Sequence, residues 1–186
     1  MKLTLTPPRV WAFDVEAAPS AWGGADFTYK RLICAASGRP GAVPHYLAPD
    51  FSAAFAEAFF APLRDPNTLV VAHNANYDLD LANGTLVKLG LAPLGPVLVS
   101  DTMRHLPRNG YAYSRRLGDM CKRFGVARKG EMDPYDWEQV RENDPAALRR
   151  LRDYNIGDVR CTLELREVLL ARGLLGPPRM WRPEAR

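Results

Sequence analysis

Cysteine is scarce: Cys34, Cys121 and Cys161 are the three in 186 residues. Their odd number and wide separation, without paired ligand spacing, argue against both a disulfide framework and a zinc site and fit a reducing cytosol. Long apolar runs are missing as well. No stretch approaches the roughly 20 residues of a membrane-spanning helix, and the N-terminus lacks a basic region followed by an apolar one, so no membrane association and no processing are expected. Internal repeats and domain linkers are also absent. A chain of 186 residues with 47% hydrophobic content can bury one sizeable core, which predicts one domain over residues 1–175 and a Pro-rich tail over 176–186. The formal charge of +4 is compatible with a polyanionic partner and equally with an ordinary surface.

What is present reads as an α/β chain. Apolar and aromatic residues alternate from Arg9 to Val15, and short strands are predicted over Arg31 to Ala36 and Ala42 to Leu47, giving an N-terminal meander. Ser52 can cap a helix running to Leu63, with Phe55, Ala58, Phe59 and Leu63 on one face. Thr68 to Ala72 is a buried strand, a helix follows from about Ala75 to Leu89, and Pro96 to Ser100 forms another strand, so a parallel crossover is implied. Asp144-Pro145 places an N-cap and a first-turn proline at the head of a long helix ending near Gly173. The tail from Gly176 is expected to be extended or frayed.

Three short patterns carry chemistry. In Trp11-Ala12-Phe13-Asp14-Val15-Glu16-Ala17 the two acids are two apart on a strand and share a face, about 7 Å apart along the backbone. Like charges repel there, and a divalent cation such as Mg²⁺, with its preference for hard oxygen ligands, removes the conflict; an edge strand that turns both acids to water is the alternative. At the next strand-to-helix junction, where ligand sites form in open sheets, Asn74 and Asp78 lie four apart and share a helix face. Taken singly, Asn74 is also a reasonable N-cap and Asp78 a first-turn acid favoured by the helix dipole. Asp80 competes with Asp78 from a different face. On the final helix Tyr154 and Asp158 are again four apart, beside Gly157, a residue that costs about 1 kcal/mol relative to alanine in mid-helix and permits close approach of another backbone or a substrate.

A strand D-x-E, then N-x-x-x-D at a strand-to-helix junction, then Y-x-x-x-D on the last helix resembles the three motifs of the DnaQ-like (DEDD) 3'-to-5' exonuclease superfamily. The likeness runs from Asp14 to Asp158. It implies an RNase H-like fold: an α/β mixed sheet with a three-strand antiparallel meander, then parallel strands, flanked by helices. Tyrosine four residues before the last aspartate is similar to the family's DEDDy branch; the DEDDh branch has histidine five before it, where this chain has Asp153. Carried over, the resemblance implies that Asp14, Glu16, Asp78 and Asp158 hold two Mg²⁺ or Mn²⁺ ions and that Tyr154 positions the attacking water. The reaction implied is release of nucleoside 5'-monophosphates from 3' ends.

The partner implied is single-stranded nucleic acid, DNA in preference to RNA, with a polymerase or a replication or repair protein as a further partner. A cytoplasmic protein of bacterial or phage type suits this reading. The resemblance implies that Asn74 hydrogen-bonds the terminal nucleotide or its neighbour. Phe13 is a candidate base wedge, and Leu81 another, although residues of this kind are more often core. The stretch from Thr102 to Gly130 holds Arg104, Arg108, Arg115, Arg116, Lys122, Arg123, Arg128 and Lys129 against the single acid Asp119. Arg115 and Lys129 are its candidates for the substrate backbone, and Tyr111 or Tyr113 for stacking. Asp101, in a D-T-M sequence, is read as structural and His73 as a packed residue. Ala17-Ala18-Pro19 departs from the Thr-Thr-Gly of many relatives, so contacts to the terminal sugar are expected to differ. A 3'-5' exoribonuclease with the same centre, and an inactive nucleic-acid-binding module, are the alternatives.

Overall fold

Strand β1 (Arg9–Ala17) runs through the middle of a six-stranded sheet, and nearly everything about the site follows from where it projects. The computed structural model describes residues 7–17, 32–104, 114–127 and 130–183. β1 pairs antiparallel with β2 (Leu32–Gly38), which pairs antiparallel with β3 (His45–Leu47), completing the expected meander. On its other side β1 pairs parallel with β4 (Thr68–Ala72), and β4 with β5 (Val97–Asp101). The sheet order is β3-β2-β1-β4-β5-β6, a mixed α/β sheet flanked by helices of the RNase H-like kind.

Two apolar layers cover the sheet. Phe13 and Val15 point into a core shared with α1 (Ala53–Phe60) and α2 (Ala75–Lys88), which supply Ala56, Phe60, Leu79, Ala82 and Leu86. Ala12, on the opposite face, meets Ala36, Val71, Ile156 and Val159, the last two from α5 (Pro145–Ala171). The alanines keep that face shallow, so α5 can pack on β1 and β2. α3 (Leu117–Phe124) packs on α5 through Met120, Cys121 and Phe124. Helix α5 begins as its caps predict, with the Asp144 side chain accepting from the N–H groups of Ala146 and Ala147 and Pro145 at the first position.

The structure refines or adds to the expected elements at three places. The buried face of α1 is Ala56 and Phe60, continued by Leu63 in a 3-10 turn over Ala61–Arg64, whereas Phe55 is 72% exposed and Ala58 is exposed too. Ser52 caps α1 as expected, accepting from Phe55 N–H; of the expected face Phe59 and Leu63 do pack on the core, Phe59 at 6.4 Å from Phe13, while Phe60 meets the same ring edge-to-face at 5.8 Å. Secondly, the tail, expected to be extended or frayed, is extended and also paired: β6 (Arg179–Trp181) runs antiparallel to β5 and buries Trp181, covering an edge that β5 would otherwise expose. Thirdly, α4 (Pro134–Arg141) stands where no helix was expected, although Asp133-Pro134 repeats the signal of Asp144-Pro145 and closes a capping box with Asp136. The three cysteines are buried and form no disulfide. Among the described residues no helix is long and apolar enough to cross a membrane.

Candidate active site

The carboxyl ends of three parallel strands, β1, β4 and β5, meet at one edge of the sheet, the position where open α/β folds form ligand sites. β1 outruns its neighbour, since its pairing with β4 ends at Ala12 while the strand continues to Ala17. Asp14 and Glu16 lie on that overhang, half-buried, opposite Ala36 and Cys34 of β2, and the β1–β2 register shifts between Glu16 and Ala17. Irregularities of this kind re-aim side chains beside functional sites, and no sequence pattern announces this one.

Helix α5 brings Asp158 to the same place. Asp14, Glu16 and Asp158 each offer a carboxylate oxygen, and these oxygens all lie within 4.8 Å of one another. Asp78, in the first turn of α2, arrives from the other side of β1 and is 4% exposed, whereas Asp80 is exposed to solvent. Burial holds the Asp78 carboxyl well above the ordinary carboxylate range, reinforced by the charges of Glu16, Asp101 and Asp158 and opposed by the Val15 backbone N–H. Its Oδ2 is buried and has no hydrogen-bond partner among the described residues. Concentrated negative charge with an unsatisfied buried carboxylate oxygen is unfavourable for the protein alone and suited to hard divalent cations. The donor set therefore fits Mg²⁺.

Asp101 is the instructive contrast. It is fully buried, yet its two oxygens accept from the backbone N–H groups of Asn74 (3.1 Å), Ala75 (3.1 Å), Met103 (3.0 Å) and Arg104 (3.2 Å). An acid saturated in this way anchors backbone, which supports its structural reading. What it anchors matters, because Asn74 sits at the N-cap of α2 with φ 85°, a left-handed conformation uncommon outside glycine. Asn74 makes no side-chain cap, so an ordinary N-cap role does not account for it. Arg179 of β6 bonds Asn76 Oδ1 and lies 3.9 Å from Asp101, tying the unforeseen strand to the same helix start.

His73, expected to be packed, uses both ring nitrogens: Nδ1 is 2.8 Å from Thr102 Oγ1 and Nε2 donates to the Arg115 carbonyl at 2.6 Å. The histidine thus fastens the segment leading into α3 to the end of β4. Arg115 is half-buried with its backbone held there. Tyr154 is half-buried one turn before Asp158 on α5. Phe13 is 1% exposed and ringed by Phe59 and Phe60, which leaves no face for a base and corrects its expected role as a wedge. Leu81 likewise packs against the core. Lys129, Arg128, Arg108, Tyr111 and Tyr113 lie outside the described residues. Asn155, between Tyr154 and Ile156, was missed: it is fully buried and donates from Nδ2 to Asp14 Oδ2. A polar residue on the apolar side of α5 was the available signal.

No protein-family model and no curated protein matches the sequence. Solved structures do match the fold. The family B DNA polymerase of the hyperthermophilic archaeon Pyrobaculum calidifontis aligns with a TM-score of 0.65 at 22% identity, over 89% of this chain and 25% of that one. RNase D of Trypanosoma brucei aligns at 0.59 and 18% identity over 88% of this chain and 58% of that one. NrnC of Brucella melitensis aligns at 0.59 and 19% identity, over 89% and 73% respectively, and has also been solved with bound Mg²⁺. This chain thus spans a quarter of the polymerase and somewhat over half of the RNase D, and it shares with all of them the fold on which the acidic site is built.

Proposed function

We propose that the chain is a metal-dependent 3'-to-5' exonuclease of the DEDDy type, releasing nucleoside 5'-monophosphates from single-stranded DNA ends. The observation that carries the reading is the convergence of Asp14, Glu16 and Asp158 within 4.8 Å, with buried Asp78 alongside. These four acids would hold two Mg²⁺ or Mn²⁺ ions, which when bound lower the pKa of an attacking water and stabilise the departing 3' oxygen. The rest falls to the chain. Tyr154 orients the water, a task for which a phenol is better suited than for removing a proton. Asn74, presented by its left-handed backbone at the head of α2, meets the terminal nucleotide. Arg115 and Lys129 hold the strand's phosphates, and their contribution is expected to weaken with salt.

The likeness to an RNase D structure favours one second reading, an exoribonuclease with the same centre, because such a site acts on the phosphate and barely tests the 2' hydroxyl. The likeness to a polymerase of which this chain spans a quarter supports association with a polymerase or another replication or repair partner. The test is incubation of wild type and Asp14→Ala with 5'-labelled single-stranded DNA and RNA of matched sequence, in Mg²⁺, Mn²⁺ or EDTA. A ladder shortening from the 3' end that requires both metal and Asp14 is the expected result, faster on DNA. Faster shortening of RNA would select the second reading. Retained binding with no ladder on either strand would refute both and leave a binding module.

A further inference from the structure

Asn155 lies inside the Y-N-I-G-D segment and is fully buried on the face of α5 that packs against β1 and β2. Its carbonyl oxygen faces the Cys34 thiol, Sγ to Oδ1 at 4.0 Å, and its amide nitrogen donates to Asp14 Oδ2. A buried primary amide is costly unless both ends are satisfied, and most neighbouring buried positions of α5 (Ala147, Leu151, Ile156 and Val159) are apolar. The orientation of the amide follows from chemistry: a thiol donates to the oxygen and a carboxylate accepts from the nitrogen, whereas the flipped amide would set a carbonyl oxygen against a carboxylate. Cys34 in turn is fixed opposite Glu16 in the β1–β2 register.

We propose that Asn155 is a positioning residue for Asp14, holding that carboxylate in the orientation in which it can share a cation with Glu16 and Asp158. The proposal rests on the metal-nuclease reading above. Three carboxylates within 4.8 Å repel, and that repulsion favours turning the Asp14 carboxylate away from its two neighbours. A charge-assisted hydrogen bond from a side chain locked between two strands and a helix opposes that rotation, as outer partners of metal ligands commonly do. The two contacts join residues 141 and 121 positions apart, so the amide also registers α5 against β1 and β2.

The experiment is a Mn²⁺ titration of the wild type, Asn155→Leu and Asp14→Ala, followed by electron paramagnetic resonance of the free ion, with thermal melts of each metal-free protein. Asn155→Leu keeps the volume and removes the donor. It is expected to weaken Mn²⁺ binding about tenfold and to raise the Mg²⁺ needed for half-maximal hydrolysis in the same ratio, with the rate largely recovered at saturating metal. A merely structural role would lower the melting temperature and leave the metal dependence unchanged. Wild-type affinity in a cooperatively folded Asn155→Leu would overturn the proposal while leaving the nuclease reading intact; no Mn²⁺ binding by the wild type would overturn both. The unmutated chain provides an independent check through NMR of the Asn155 side-chain amide. Its Nδ2–H resonance should shift on Mg²⁺ addition, and an unmoved resonance at saturating Mg²⁺ would sink the idea even if the leucine variant did not fold.

Discussion

Gly157 sits between the tyrosine and aspartate of the last motif, in the middle of a 27-residue helix, where glycine is unfavourable by about 1 kcal/mol relative to alanine. Among the described residues nothing requires that cost. A Cβ built there would have Gly130 N as its nearest neighbour at 3.9 Å, ordinary van der Waals contact, so the loop bearing Gly130 passes close by yet leaves room for a methyl group. Gly157→Ala is therefore expected to stabilise the protein by about 1 kcal/mol and raise its melting temperature by roughly 2–4 °C for a chain of this size. If the protein's own packing tolerates the methyl group, the proposed nuclease function supplies a reason for glycine, close approach of the polynucleotide. The variant should then show a KM for single-stranded DNA raised about fivefold, equivalent to about 1 kcal/mol of lost binding. Calorimetry of the metal-free protein and initial rates on a labelled oligonucleotide test the two halves separately. A lowered melting temperature would refute the packing argument, and an unchanged KM in a stabilised variant would refute the claim that substrate needs the space.

Asp78→Asn should separate stability from activity. Because burial raises the Asp78 pKa, the folded chain binds that proton more tightly than the unfolded one, so stability is full below the unfolded value of about 3.9 and falls as pH rises toward the folded value. In EDTA the variant is thus expected to melt above wild type at pH 7.5, with the difference shrinking toward pH 4, while hydrolysis drops at least about a hundredfold; a variant melting below wild type at pH 7.5 would contradict the charge argument. The two phenylalanines of α1 supply a packing control: Phe60→Ala should cost about 3–5 kcal/mol and Phe55→Ala no more than about 0.5 kcal/mol in urea unfolding, and equal losses would mean that the buried stripe has been misassigned.

Much of the site was legible because its parts are local. The alternation of β1 alone puts Asp14 and Glu16 on one face and Phe13 and Val15 on the other, and four-residue spacing alone stacks Tyr154 over Asp158. Asp144-Pro145 announces the start of α5 because capping is settled within four residues. These features depend on backbone periodicity and nearest-neighbour hydrogen bonds, which a single stretch of sequence contains. Tertiary structure decided the rest. Which residues of α1 face inward is settled by the rings of Phe59 and Phe60 packing on Phe13, and β6 has too few residues to declare itself without β5 to pair with. The bonds from Asn74 and Ala75 to Asp101 and the grip of Asn155 on Asp14 join residues distant in the chain. A carboxylate's sequence neighbours identify its strand and face, but whether it meets backbone N–H groups, an amide or other carboxylates depends on which elements pack beside it. That difference separates the anchoring acid, Asp101, from Asp14, Glu16 and Asp158, whose carboxylate oxygens lie within 4.8 Å of one another.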